Sequence, residues 1–143
     1  MLSKTAQYAI KALFFISQKS TEGKKVPLKD IAKGIDAPEQ FVAKILQNLT
    51  KKEIIRSSKG LNGGFFVDKS SEKFSLADVV KIFDGNKLFT QCGLGLKLCS
   101  ENRPCPIHHE YKKVRKELIH ILETTKFVSL NESLNEKSIF LKV

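Results

Sequence analysis

The chain has 143 residues, with 25 Lys and Arg against 15 Asp and Glu, so its formal net charge is +10. Its length predicts one domain, and 41% hydrophobic with 28% charged residues is the composition of a folded rather than a disordered protein. The longest apolar run near the start, residues 12–16, is too short for a membrane helix or the core of a signal peptide. We therefore expect a cytoplasmic protein with no membrane partner.

Most of the positive charge lies in the first half of the chain. Residues 1–73 carry 14 Lys and Arg against 7 Asp and Glu, whereas residues 74–143 carry 11 against 8. A basic surplus favours a polyanionic partner such as DNA. A merely cationic, soluble surface would have the same composition, so local structure has to decide between the two.

Three helices are predicted in this basic half. The first precedes Gly23, and the second spans residues 27–33, where Gly34 is predicted to be the left-handed residue that closes it. The third opens at Pro38. The apolar stripe of the first helix is Ala6, Ala9, Ile10, Leu13 and Phe14, and that of the third is Phe41, Val42, Ile45, Leu46 and Leu49.

Two short helices joined by a tight turn are typical of a helix-turn-helix. Glu39, Gln40, Lys44 and Gln47 project away from the apolar face of the third helix. Gln can pair with adenine and Lys with guanine or phosphate, and base contacts usually come from the start of a recognition helix. We therefore expect Gln40 and Lys44 to read bases, the alternative being an ordinary solvated helix face.

A β-hairpin is predicted directly after these helices. Residues 54–57 and 65–67 are the strands, and residues 58–64 form a turn rich in Gly and Asn. A hairpin in this position is a wing, whose basic residues Arg56 and Lys59 can reach phosphates or the minor groove. A plain surface hairpin is the alternative.

Two more helices follow the hairpin. Ser75 and Asp78 predict a capping box that opens the first of them, and Gly85 ends it. A long helix is predicted over residues 107–126, with a heptad seam that would suit a dimer interface or would pack on its own domain. The seam consists of Ile107, Tyr111, Val114, Leu118, Ile121 and Thr125.

All three cysteines lie within residues 92–105. An odd number cannot pair fully within the chain, and in a reducing compartment such clustering indicates metal or redox chemistry. Thiolates suit zinc and iron–sulfur clusters, which usually take four protein ligands. His108, three residues after Cys105, is the nearest fourth ligand, ahead of His109 and His120.

Other interpretations of the cysteines stay open. Zinc sites most often use cysteines two to four residues apart, a spacing that does not occur here. A cysteine nucleophile would leave two thiols unexplained, and three inert thiols are a further alternative. Because the sequence contains no second catalytic constellation, we do not expect an enzyme.

The predicted helices, the hairpin and the cysteines follow one another along the chain in an order that resembles the Rrf2 family of winged-helix regulators. The resemblance covers about residues 1–130. The segments that carry the resemblance are residues 3–10, 26–32, 38–46 and 59–65, together with the three cysteines. The resemblance implies a dimeric transcription factor. It also implies an iron–sulfur cluster, which several members hold on three cysteines ahead of the dimerisation helix.

The resemblance also bears on the fourth ligand. In the IscR branch of the family it is a histidine three residues past the last cysteine, which matches His108. In the NsrR branch it is an acidic residue near the start of the partner's first helix, where this chain has Gln7, a poor ligand. The chain departs from the family in the gap between Cys92 and Cys99, which is one residue longer than usual, and in Lys59, which stands where Arg is usual.

We thus predict a mainly α fold with a small β-hairpin. A winged helix-turn-helix domain would span residues 1–86, a cluster-binding loop 87–106, a dimerisation helix 107–130 and a C-terminal tail 131–143. The predicted protein is a homodimer that binds a palindromic operator in double-stranded DNA. The predicted DNA-contacting residues are Pro38, Glu39, Gln40, Lys44, Lys51, Lys52, Arg56, Lys59, Gly60, Asn62 and Gly63.

The predicted cofactor is an iron–sulfur cluster, with 2Fe–2S favoured over 4Fe–4S. Its predicted ligands are Cys92, Cys99, Cys105 and His108, and it would sense iron–sulfur status, nitric oxide or redox stress. The alternative is a DNA-binding regulator of the same family that has no cluster and responds through free thiols, zinc or a small molecule.

Overall fold

The computed structural model describes residues 1–129 and 131–142, and within them the chain forms seven α-helices and one β-hairpin. This architecture confirms the predicted mainly α fold. Residues 130 and 143, the ends of two predicted segments, lie outside the described residues. The elements are α1 (Lys4–Thr21), α2 (Leu28–Gly34), α3 (Glu39–Lys51), β1 (Arg56–Ser58), β2 (Gly64–Phe66), a 3-10 turn (Lys69–Ser71), α4 (Leu76–Asp84), α5 (Lys87–Thr90), α6 (His108–Thr124) and α7 (Asn131–Asn135).

Helix α1 lies at the centre of the fold. It packs against α2, α3, α4, β2 and α7, and its predicted stripe is buried at Ala9, Leu13 and Phe14. Full burial of a large aliphatic side chain such as Leu13 stabilises the fold by about 1.5–3 kcal/mol. The start of α1 is fixed by Ser3, whose hydroxyl accepts a hydrogen bond from the Ala6 amide at 3.1 Å.

Gly34 has a different role from the predicted one. It is the last residue of α2 and does not have a left-handed backbone; Asp36, with φ 53°, is the left-handed residue in the turn to α3. A Cβ atom at Gly34 would lie 2.3 Å from the Phe15 ring. The glycine therefore allows α2 to approach α1 closely, and Asp is one of the few non-Gly residues that tolerate the left-handed turn.

Phe41 was wrongly predicted to be buried. Its ring is 59% exposed, whereas Val42 in the same helix is fully buried. Phe41 lies in the first turn of α3 and is about 100° around the helix from Val42, at the edge of the apolar stripe.

Both strands are displaced by a residue or two from their predicted positions. Arg56 pairs with Phe66 and Ser58 with Gly64 in antiparallel register. Ile54 and Ile55 are both fully buried, which the alternation of a strand with one exposed face does not allow, so β1 begins after them.

The structure confirms the predicted ends of α4. The Ser75 amide donates to Asp78 Oδ2 at 2.8 Å in a capping box, and Gly85, with φ 66°, follows the last helical residue. Helix α6 is slightly shorter than predicted and packs on α4, and its Leu122 is buried in the core.

The segment predicted as a tail contains α7, which packs on α1. The Asn131 side-chain amide donates to the Ser17 hydroxyl at 2.9 Å. Among the helices of the described residues, none is long and apolar enough to cross a bilayer.

Candidate DNA-binding surface and metal site

The outer face of α3 presents the predicted base-reading residues. Burial of Val42, Ile45, Leu46 and Leu49 fixes the orientation of the helix, because these side chains pack on α1 and α2. The opposite face is exposed and polar or basic, with Gln40 and Lys44 one turn apart. Base contacts from these two residues stay a prediction. The exposed side chains of this face are Glu39, Gln40, Lys44, Gln47, Asn48 and Lys51.

An open groove lies between α3 and the hairpin formed by β1 and β2, which we call the wing (residues 56–66). Its volume is about 540 Å³, and its lining includes Lys44, Gln47 and Lys51 from α3 and Ser57 and Phe65 from the wing. The predicted recognition helix and the predicted wing thus share one basic groove.

The wing is fastened to the segment between α1 and α2. Val26 and Phe65 exchange two backbone hydrogen bonds of 2.8 Å, which extends the hairpin by an isolated bridge. Gly64, with φ 149°, allows this approach, since a Cβ atom there would lie 2.7–2.8 Å from the Val26 backbone. The exposed tip, which includes Lys59, Leu61 and Asn62, projects from this anchored base.

Arg56 lies beside an anionic side chain of the protein, whereas Lys59 is exposed at the tip of the wing. The Arg56 Nε atom lies 3.5 Å from Asp68 Oδ2, and a terminal guanidinium nitrogen donates to the Ser70 hydroxyl at 3.3 Å. The Ser70 hydrogen bond, with a smaller contribution from Arg56, lowers the pKa of Asp68 below its usual value, so the carboxylate stays charged. Arg56 therefore already has an anionic partner, and the exposed Lys59 is the better candidate for a DNA phosphate.

Lys25 is a basic residue that lies against the wing and was not among the predicted DNA-contacting residues. Its Nζ atom donates to the Ser58 hydroxyl at 3.2 Å and lies 5.2 Å from the centre of the Phe66 ring. The pairing of Val26 with β2 brings it there. The only sequence signal was the Lys24–Lys25 pair, which does not indicate the wing.

The four predicted cluster ligands come together as two pairs. Cys92 is buried and its Sγ atom lies 3.8 Å from Cys105 Sγ, while Cys99 Sγ lies 3.5 Å from His108 Nδ1. All three cysteines are free thiols. Within the described part of the chain, no three of these four ligand atoms lie within 4.8 Å of one another. His108 thus lies next to the thiol of Cys99.

Both pair distances match neighbouring ligands on a tetrahedral metal. Metal–sulfur bonds of about 2.3 Å and metal–nitrogen bonds of about 2.1 Å place two thiolates about 3.8 Å apart, and a thiolate and an imidazole about 3.6 Å apart. The donor set of three thiols and one imidazole also suits zinc or an iron–sulfur centre. The residues therefore fit a metal-containing group.

The cysteine loop (residues 91–107) favours a thiolate at Cys92. Backbone amides of Leu94 and Leu96 donate to the Cys92 sulfur and, together with the smaller effect of Cys105, lower its pKa below the usual thiol value. Metal ligands and reactive cysteines both require the thiolate, so this environment suits either chemistry.

Helix α6 holds the cysteine loop through Arg115 and Tyr111. The Arg115 guanidinium donates to the Gln91 carbonyl at 2.7 Å and to Cys99 Sγ at 3.3 Å. At Gly93 a Cβ atom would lie 2.7 Å from the Tyr111 ring, so the loop packs directly on α6 there. The loop and the helix thus form one structural unit.

The predicted heptad seam of α6 divides into a covered and an uncovered part. Tyr111, Leu118 and Thr125 are half-buried. Ile107, Val114 and Ile121, spaced by seven residues, are 40%, 66% and 54% exposed. This uncovered apolar stripe is the part of the seam that would suit a dimer interface, which stays a prediction.

A helix-turn-helix followed by an anchored wing, with a basic groove between them, defines the class of winged-helix DNA-binding proteins. The family model described as "Rrf2: Iron-dependent Transcriptional regulator" matches residues 2–133. The chain therefore belongs to the Rrf2 family and is a DNA-binding transcriptional regulator, not an enzyme.

Several relatives are similar over most of their length. An HTH-type transcriptional regulator of Aquifex aeolicus is 28% identical over 98% of this chain and 96% of its own. IscR of Pectobacterium carotovorum is 24% identical over 96% of this chain and 81% of its own. NsrR of Oceanobacillus iheyensis is 24% identical over 85% of this chain and 83% of its own.

Two solved structures share the fold. CymR, the global cysteine regulator of B. subtilis, has a TM-score of 0.74 at 16% identity, covering 94% of this chain and 98% of its own. IscR of T. potens has a TM-score of 0.71 at 20% identity, covering 96% of this chain and 90% of its own. At these identities the two structures support the winged-helix fold alone.

Proposed function

We propose that the chain is a homodimeric transcriptional regulator whose operator binding is controlled by an iron–sulfur cluster of the 2Fe–2S type. The ligands are Cys92, Cys99, Cys105 and His108. The observation that carries the proposal is the arrangement of these side chains as two pairs, each with the spacing of neighbouring ligands on one tetrahedral metal.

The division into two pairs favours a centre with two metal ions over a single zinc. One zinc ion with four ligands would require all of the ligand atoms to lie about 4 Å apart. Here each pair meets that distance, but no three of the four described atoms do. When bound, a 2Fe–2S cluster would supply one-electron redox chemistry and sensitivity to oxidants and nitric oxide.

The surroundings of the ligands support the same group. The lowered pKa of Cys92 makes the thiolate, the form that binds a metal, easier to reach. Arg115 donates a hydrogen bond to Cys99 Sγ, a contact that orients a ligand and stabilises negative charge on it. His108 is 3% exposed, so its imidazole is held within the protein rather than moving in solvent.

The regulatory coupling would run through α6. Its residues Tyr111 and Arg115 contact the cysteine loop, and the helix packs on α4, which in turn packs on α1. In a dimer formed through the stripe of Ile107, Val114 and Ile121, a change in the loop would shift α6. The spacing of the two recognition helices would then change.

On the DNA side, Gln40 and Lys44 would read the major groove. Lys51, Lys52, Arg56 and Lys59 would contact phosphates or the minor groove, which makes binding strongly dependent on salt. Backbone and side-chain contacts near the starts of α3 and of the wing tip would come from Pro38, Glu39, Gly60, Asn62 and Gly63.

Anaerobic purification followed by visible absorption and metal analysis tests the cluster. We expect coloured protein with about two irons and two sulfides per chain. Cys99→Ser should lose the colour, whereas His120→Ala, an exposed histidine elsewhere on α6, should keep it. Colourless protein with one zinc per chain that is lost in Cys99→Ser would contradict the cluster and favour a zinc-bound regulator.

Direct thiol sensing is a second candidate, favoured by the 3.8 Å separation of Cys92 and Cys105. Peroxide could accept two electrons from these thiols and join the sulfurs in a disulfide, with their two protons leaving as the peroxide is reduced to water. Colourless, metal-free protein whose DNA affinity changes with peroxide, and no longer does so in Cys105→Ser, would favour this candidate over the cluster.

A further inference from the structure

The Nε2 atom of His108 has no role in the proposed cluster. The Nδ1 atom of the same ring faces Cys99, whereas Nε2 points the other way, is buried, and has no hydrogen-bond partner among the described residues. The nearest carboxylate oxygen, Glu101 Oε2, is 3.4 Å away but outside hydrogen-bonding geometry. A buried imidazole nitrogen without a partner is costly, and such a group commonly contacts an ion or water.

Two further metal-binding side chains, Glu101 and His109, lie close to the His108 imidazole. Ligand atoms of Glu101, His108 and His109 all lie within 4.8 Å of one another. The two imidazole rings stand nearly perpendicular, with their centres 5.1 Å apart. Glu101 and His109 are exposed, so the cluster of three side chains opens to solvent on one side.

Glu101 is oriented toward this position by Lys112. One carboxylate oxygen contacts the Lys112 ammonium, and the other faces His108. The second oxygen of the carboxylate is therefore positioned to bind an ion beside His108.

We propose that Glu101, His108 and His109 form a second metal site, which binds a divalent ion of the zinc class when the cluster is absent. Two imidazole nitrogens and one carboxylate oxygen are a ligand set that suits zinc, with solvent as the fourth ligand. This site uses two side chains, Glu101 and His109, that have no part in the proposed cluster.

The two metal groups share His108, so binding of one disfavours binding of the other. The cluster would take Nδ1 and the divalent ion Nε2, and an imidazole that binds metals through both nitrogens has to lose its remaining N–H proton. Zinc would then join the cysteine loop, through Glu101, to the start of α6 in the cluster-free protein. The loop would thus stay attached to α6 after the cluster is lost.

Zinc titration of the full chain with Cys92→Ser, Cys99→Ser and Cys105→Ser tests the site, because no thiol remains to bind the ion. We expect one zinc per chain by competition with a chromophoric chelator. Loss of an outer-shell partner weakens metal binding by about 10–100-fold. Adding Glu101→Gln or His109→Ala to this chain should weaken zinc binding by more than that, because each removes a direct ligand. Glu110→Gln and His120→Ala, exposed residues of the same helix, should leave the affinity unchanged.

A chain that binds no zinc, or whose affinity does not respond to Glu101→Gln and His109→Ala, would overturn the proposal. Circular dichroism checks that the three-serine chain is folded, and the wild-type chain with alkylated thiols repeats the titration if it is not. The iron content of His109→Ala with its cysteines intact should equal that of the wild type. The iron content therefore tests the proposed cluster, and the zinc titration separately tests the second metal site.

Discussion

The winged-helix half and the cysteine loop are built in opposite ways. In the winged-helix half, apolar side chains such as Leu13 of α1, Leu49 of α3 and Val79 of α4 are fully buried. In the cysteine loop the leucines face solvent, with Leu94 and Leu96 52% exposed and Leu98 78% exposed. The first half is therefore held by its own hydrophobic core, whereas the loop needs contacts of another kind.

Apart from the packing of Gly93 on Tyr111, the loop is held by polar and sulfur contacts. Arg115 joins Gln91 and Cys99 to α6, and the thiols approach one another without a bond between them. A segment with few buried apolar contacts changes conformation at low cost. Such a segment is well suited to report on a bound group, while the rigid half keeps the DNA-binding surface intact.

The largest expected effect is on the core of the winged-helix half. Leu49→Ala removes a fully buried side chain of α3 and should lower the free energy of unfolding by about 2–5 kcal/mol. The matched change Leu98→Ala in the loop should alter it by no more than about 0.5 kcal/mol, because that side chain is mostly exposed. Urea unfolding of metal-free protein measures both, and equal losses would contradict the proposed division of the molecule.

The next effect is on sequence discrimination by the recognition helix. Lys44→Ala should reduce the preference for the operator over unrelated DNA by about 1–3 kcal/mol, since it removes a predicted base contact. Lys97→Ala removes the same charge from the exposed cysteine loop and should not alter that preference. Competition binding with the two DNAs measures the ratio, and unchanged selectivity would remove Lys44 from the reading surface.

A smaller effect is expected at the contact between α6 and the loop. Arg115→Ala removes the hydrogen bond to Cys99 Sγ and should weaken retention of the metal group by about tenfold, the lower end for an outer-shell partner. Its neighbour Lys116 is exposed and serves as the control in Lys116→Ala. The measurement is the rate of colour loss in the presence of a chelator. Equal rates for Arg115→Ala and wild type would show that Arg115 does not hold the ligand.

The smallest effect is expected at the wing tip. Lys59→Ala should weaken binding to all DNA sequences alike and reduce the slope of log affinity against log salt by about one. Lys97→Ala, away from the groove, should keep the slope of the wild type. A Lys59→Ala chain with the full wild-type slope would show that the wing tip does not contact phosphate.

The sequence predicted those features of the fold that depend on contacts between residues close together along the chain. The capping box of Ser75 and Asp78 lies within one helical turn, so the sequence alone was sufficient for it. The role of Gly34 depends on Phe15 in the preceding helix, and the attachment of the wing depends on Val26. Contacts between distant segments leave no periodic pattern in the sequence, and these were missed.

The same distinction applies to the candidate metal site. The spacing of the cysteines and His108 indicated a common site, and the structure brings them together in two pairs. Which thiol neighbours His108 depends on how the cysteine loop turns back on α6, and the spacing of the residues did not predict it. The contacts of Arg115 and Glu101 likewise depend on tertiary structure.

The central claim, that the group bound by the cysteine loop controls the winged-helix half, is tested most directly by one binding measurement. The same preparation would be assayed anaerobically, with its cluster and after its removal, against one operator fragment selected from random DNA by this protein, at fixed salt. We expect the two affinities to differ by about tenfold or more, within the range of typical allosteric coupling. Equal affinities of the cluster-loaded and cluster-free forms would contradict the account.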